Sequence, residues 1–242
     1  MRKILLIVAL ALSSVAPVAA GDLLQWGVYG GAETGLAYFD LTPLNDYLDD
    51  ARVDDFSSFL PLVGFNLQAL LAERIHVGWE GGMFMAYRSG GLVDAHLAGA
   101  STDFFFGYDL IAKPAWRLRP ELGIGGALLM LRLDGAVQSL PAVELPAATD
   151  NLDLAKTSVL GKAGLTIEWT PKLYQNANGR LGMAASLSAG LYAPLSDEGW
   201  EITSQIDDRQ RDLDGDGPEI SYLAGYVSLG VRFGGGITDI DN

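Results

Sequence analysis

The chain has 242 residues, 49% of them hydrophobic and 19% charged, with 16 Lys+Arg against 30 Asp+Glu and no cysteine. The apolar fraction is that of a folding chain and excludes disorder. A formal charge of −14 disfavours partners read through their phosphates, so no nucleic-acid partner is expected. The missing cysteines exclude a disulfide scaffold, a thiolate zinc site, a cysteine nucleophile and a lipidated cysteine.

Residues 1–20 read as a secretory signal peptide: Arg2 and Lys3 form the basic region, Ile4 to Leu12 is apolar, and Val18 and Ala20 precede the cleavage point. Its removal leaves 14 bases against 30 acids, a charge of −16. No later window is a long apolar run, so a membrane helix is not expected. An exported soluble protein and a closed transmembrane β-barrel remain.

The rest of the chain alternates apolar and polar with period two in eight segments. Residues 25–39 set Trp26, Val28, Leu36 and Tyr38 against Glu33 and glycines. Residues 59–71 set Val63, Phe65 and Leu67 against Gly64, Asn66 and Gln68. In the third segment Val77, Trp79, Met83 and Tyr87 oppose His76, Glu80 and Arg88. In the fourth, 103–117, Phe104, Phe106, Leu110 and Trp116 oppose Asp103, Asp109, Lys113 and Arg117. Residues 121–133 set Leu122, Ile124 and Leu128 against Glu121 and Gly123. The sixth segment sets Val159, Leu165, Ile167 and Trp169 against Lys162 and Glu168. Residues 181–193 set Leu181, Leu187 and Leu191 against Ser186 and Ser188. The eighth sets Val227, Leu229, Val231 and Phe233 against Tyr226, Ser228 and Arg232.

Connections alternate in length. Short ones are expected near 72–74, 118–120 and 172–180, long ones at 40–57, 89–101, 134–156 and 194–221. This is the rhythm of an all-β, eight-stranded antiparallel up-and-down transmembrane barrel, with short periplasmic turns and long extracellular loops. Trp26, Trp79, Trp116, Trp169 and Phe233 fall on the apolar face toward the short-turn end and read as an aromatic girdle. Tyr38, Phe59, Tyr87 and Phe104 read as the second girdle. In a soluble barrel the apolar faces would point inward, but the opposite faces here are rich in glycine, serine and alanine and poor in lysine. That suits a cramped interior better than a wet surface.

This pattern resembles the small eight-stranded outer-membrane barrels of the OmpA, OmpX and OmpW type, over residues 21–233. Tyr226 to Phe233 resembles the C-terminal assembly signal of such barrels, which implies the barrel-assembly machinery as a partner, beside outer-membrane lipid and lipopolysaccharide. The external ligand stays open. Residues 234–242 form a short acidic periplasmic tail.

Three groups of residues could carry function. The inward face collects Glu33, Glu80, Asp103, Asp109, Glu121 and Glu168 with Arg88, Lys113, Arg117, Lys162 and Arg232. An eight-stranded barrel is narrow enough for side chains to fill, so these charges must pair. The expected outcome is a largely plugged lumen in a structural or interaction protein. A narrow channel for ions or small solutes is the alternative. The histidines, His76 facing inward and His96 in a loop, have no serine placed for a nucleophilic pair, so a lipid-modifying enzyme is not expected. Asp212, Asp214 and Asp216 precede Gly217 as in a calcium loop, but the twelfth position is Leu223 rather than glutamate. No cofactor is expected; calcium held by these three aspartates is the one alternative to a flexible acidic loop tip. The loops 40–57 and 194–221 hold six and nine acids, a solvated acidic face. Pro43 to Ala51 suits a short helix with Thr42 as its N-cap.

Overall fold

The computed structural model describes residues 26–49, 52–71, 74–91, 93–112, 116–135, 151–170, 172–176, 179–197, 199–203, 211–212, 220 and 223–237. Eight antiparallel strands make the wall. They are β1 Trp26–Phe39, β2 Phe59–Leu71, β3 Ile75–Ser89, β4 Val93–Tyr108, β5 Trp116–Gly135, β6 Asn151–Trp169, β7 Gly179–Asp197 and β8 Ala224–Ile237. Each pairs with its neighbour in sequence, and β8 pairs with β1, so the sheet has no free edge. Closure satisfies the backbone polar groups where no water is present. Short strands at Ile111–Ala112, Lys172–Asn176, Glu201–Ile202 and Arg211–Asp212 extend the ladders.

The rows of paired residues climb around the wall. From Arg117 the row passes Glu168, Ser186, Gly230, Glu33, Gly64, Gly82 and Ser101, and returns to β5 at Ala127, ten residues above its start. This shear tilts the strands and sets which inward side chains meet.

Over the lower two thirds of the wall, apolar side chains point out. Val63, Trp79, Ile124, Leu165, Leu187 and Leu229 are each 45–62% exposed, while Glu80, Glu121, Lys162 and Glu168 beside them are buried. The chain is an outer-membrane β-barrel on this ground: such a surface is stable only against lipid. No described helix could cross a membrane.

Toward the outer end the polarity reverses. Leu129, Leu131, Leu133, Leu152 and Leu154 point inward and are at most 1% exposed. Arg132, Asp134 and Asp153 point outward there and ion-pair with one another. β5 has 20 residues, roughly 65 Å along the strand, so even tilted it outruns a hydrocarbon core of about 30 Å. The projecting part is built as a soluble barrel, apolar within and polar without.

The helix α1, Thr42–Asp49, fills its mouth. Leu41, Leu44, Leu48 and Phe56 are buried with Phe39, Phe84, Leu97, Leu131 and Leu152. Trp200 and Ile220 close the same core from the last loop. Asp40, not the Thr42 hydroxyl, supplies the acceptor at the start of α1, at 3.2 Å from the Thr42 amide. The Asn45 amide grips the backbone of Phe56 twice, at 3.0 and 2.9 Å.

Several expectations are corrected. The fourth strand is Val93–Tyr108 rather than 103–117, and residues 89–101 are mostly strand. Residues 118–120 lie inside β5, and β4 ends at Tyr108. His96 therefore stands on β4, its ring 4.7 Å from that of Tyr87. Phe104 faces out beside Trp79, near the inner end of β4, and does not join Tyr38, Phe59 and Tyr87 at the outer end. The last strand continues past Phe233 to Ile237. Trp79, Trp116, Trp169 and Phe233 all face outward, and Trp116 and Trp169 pair across β5 and β6. Residues 1–25 and 238–242, and with them the signal peptide and most of the tail, lie outside the described residues, as does the side chain of Trp26.

Candidate functional site: the charged lumen

Most inward charges of the membrane-spanning part are joined in one network. At its lower end Asp109, just past β4, accepts from Arg117 at 2.7 Å and meets His76 Nε2 at 3.0 Å. The other nitrogen of His76 lies 2.8 Å from Arg119. Arg119 is fully buried; its Nε donates to Glu121 at 2.8 Å and its Nη2 lies 3.7 Å from Glu168. Gly107 makes room for it, because a Cβ there would stand 2.6 Å from the arginine Cδ. Glu168 also accepts from Arg232 at 2.8 Å and from Gln68 at 3.5 Å.

Above this layer, Lys162 forms a close ion pair with Glu80 and lies 3.5 Å from Glu121 and 3.9 Å from Asp103. Its ammonium also faces the rings of Phe105 and Tyr226 at 5.3 and 5.5 Å. The Tyr192 hydroxyl donates to Asp103 and Glu80 at 3.2 and 3.3 Å. Ser228 donates to Glu33 at 3.2 Å. Breaking one such pair would leave an uncompensated buried charge, which is costly.

Nine of the eleven expected lumen charges lie along this network. Arg88 does not. It faces inward by parity but sits at the mouth, donating to the Asp55 carbonyl at 2.7 Å over the Phe56 ring, so it ties the first loop down. Lys113 lies outside the described residues. The sequence reading missed Arg119, assigned to a turn, and the hydroxyls of Tyr192 and Ser228. Asp214 and Asp216 lie outside the described residues, and of Asp212 only the backbone, paired with Glu201, is described. Among the described residues no three His, Asp or Glu side chains are grouped to hold a metal.

Outside the membrane the Ser89 hydroxyl, 2.8 Å from Asp94, holds that carboxyl below the usual carboxylate range. Asp134, bonded to Arg132 at 2.9 Å, holds that guanidinium above its ordinary value.

No protein-family model matches the chain, and no curated protein does. Among solved structures it is similar to the attachment invasion locus protein Ail of Yersinia pestis, at 13% identity and TM-score 0.39, over 88% of this chain and 97% of that one. It is similar also to Neisserial surface protein A, at 12% identity and TM-score 0.38, over 86% and 95%. A third is OprG of Pseudomonas aeruginosa, at 10% identity and TM-score 0.29, over 89% and 96%.

Proposed function

We propose that this outer-membrane barrel is an interaction scaffold closed along its axis, acting through its outer face rather than as an axial pore. The observation that carries this reading is the double closure. Water and ions would have to pass an apolar plug, with Leu44 and Leu48 of α1 at its centre, and then the buried Arg119–Glu121–Lys162–Glu80 layer. The face turned to the medium is acidic: Asp40, Asp46, Asp49, Asp54 and Asp55 are exposed on and around α1. It suits a basic partner, or lipopolysaccharide bridged by divalent cations.

The test is conductance of the refolded mature protein in a planar bilayer. A folded, heat-modifiable barrel that stays silent across voltage supports the scaffold. Steady, reproducible current steps overturn it in favour of a narrow channel.

A further inference from the structure

The outer surface of the wall is uneven. A groove of about 430 Å³ lies over β4, β5 and β6, lined by Ala100, Thr102, Gly126, Leu128, Thr157 and Val159. Gly126, on β5, faces outward into it. A Cβ there would touch only the Ser158 carbonyl, at 3.9 Å, so nothing within the barrel keeps this position small. Its neighbour Gly125 differs: a Cβ there would stand 2.0 Å from the Thr102 carbonyl, so the fold itself requires that glycine. A strand glycine with open space in front of it leaves room for another chain to come close. Two strands away from Gly126, on β3, stands the opposite feature. Met85 is 75% exposed, the most of any large apolar side chain described.

The climb of the rows sets groove and methionine at one height. Ten residues over eight strands is a little more than one per strand. The row of Met85 passes Ala98, Met130 and Ala155. Three strands on, at β6, it has risen nearly four residues. Level with Met85 therefore lie Gly126 to Leu128 on β5 and Val159 on β6. The same climb sets Arg132 of β5 level with Asp94 of β4, beyond the groove toward the medium. Both of these side chains face outward. Asp94 accepts from Ser89 but ion-pairs with no base among the described residues, and Arg132 is 55% exposed.

We infer that this face docks a second copy of the barrel, about a two-fold axis parallel to the barrel axis and passing between β4 and β5. Such an axis brings β3 of one copy to β6 of the other, and β4 to β5. Met85 of each copy then enters the groove of the other beside Gly126 and Val159. Asp94 of each copy meets Arg132 of the other. Projection, recess and both charges stand on one face, which makes that face complementary to itself, as a closed two-fold contact requires. Lipid tails are as apolar as methionine, so burial from water does not drive the contact. Close packing over small residues does, as between membrane helices. An acyl chain would fill the groove but would give Asp94 no counter-charge. The inference does not rest on the closed axis, since a plugged and a conducting barrel can pair alike.

The test counts subunits by single-molecule photobleaching of the refolded mature protein, dye-labelled at its amino terminus, over a dilution series in lipid vesicles. Pairs are expected. Gly126→Leu fills the groove from outside and is expected to weaken pairing at least tenfold, while the heat-modified shift of the barrel stays the same. Asp94→Arg and Arg132→Asp are each expected to lose pairing alone and to regain it when the two proteins are mixed, because the reversed charges then face each other. Single subunits at every dilution overturn the inference and leave the groove to acyl chains. So do clusters larger than two, pairing unchanged in Gly126→Leu, or charge variants that pair no better mixed than alone. The mixing result decides even if Gly126→Leu does not fold. Current steps in the bilayer assay would overturn the scaffold reading alone, since subunits are counted without reference to the lumen.

Discussion

Arg119 points a guanidinium nitrogen at Nδ1 of His76 from 2.8 Å. An arginine can only donate, so Nδ1 must offer a lone pair. The ring proton is then on Nε2, which lies 3.0 Å from the Asp109 carboxylate and donates to it. His76 is thus a neutral link between an arginine and an aspartate, with both nitrogens occupied.

That arrangement fixes a tautomer. Nitrogen-15 spectra of the refolded protein at neutral pH are expected to show His76 protonated at Nε2 alone. In Arg119→Met the second nitrogen loses its donor, and the spectrum is expected to move toward a tautomer mixture. A His76 signal identical in both proteins would show that Arg119 does not orient the ring.

Arg119 is fully buried against Glu121 and Glu168. Arg119→Ala takes the guanidinium from Glu121 and Glu168, leaving them to Lys162 and Arg232, and is expected to cost roughly 3–5 kcal/mol, read as a lower urea midpoint of folding in vesicles. The double change Arg119→Met/Glu121→Gln removes charge and countercharge together and is expected to cost far less. Equal losses would mean that the pair is not buried as a unit.

The reversal of polarity along β5 predicts a boundary. Ile124 faces lipid, and Ile124→Arg is expected to destabilise the barrel by about 2–4 kcal/mol. Arg132 lies eight positions further out among carboxylates, and Arg132→Leu is expected to change stability by less than about 1 kcal/mol, the usual scale for an exposed ion pair. A large cost at Arg132, or none at Ile124, would move the membrane along the strand.

The plug predicts a protease pattern. Asn45→Ala removes both bonds to the Phe56 backbone and leaves those groups partly buried without partners, a cost of roughly 1–3 kcal/mol confined to the loop. Cleavage between residues 40 and 58 is expected to accelerate on intact vesicles while the barrel's heat-modified shift stays the same. If cleavage is unchanged, Asn45 does not hold the cap.

The alternation in the sequence was sufficient to recover the barrel, because period two is a direct image of the pleat. It failed where two strands of opposite direction alternate alike. Leu110, Ala112, Pro114 and Trp116 continue the beat of Phe104 and Phe106 straight past the end of β4 at Tyr108, while His96 to Ser101, with small outward residues, read as a loop. That shift hid Arg119 inside a turn and put Phe104 at the wrong end. The plug was hidden for another reason. Leu129, Leu131 and Leu133 continue on the face that carries Glu121 below, so inside and outside exchange meaning where the strand leaves lipid. The ion-pair partners depend on the ten-residue climb of the rows, a closed-barrel property that no single segment contains.

That climb also orders events in time. Lys162 and Glu80 lie on the sixth and third strands, Gln68 and Glu168 on the second and sixth, and Arg232 on the last. The first two of these cannot form while the sheet is an open ribbon, and Glu168 lacks its Arg232 until the eighth strand has paired with the seventh. An unfinished barrel therefore carries naked charge toward lipid, and the final strand is the one that makes the rest fit to stay.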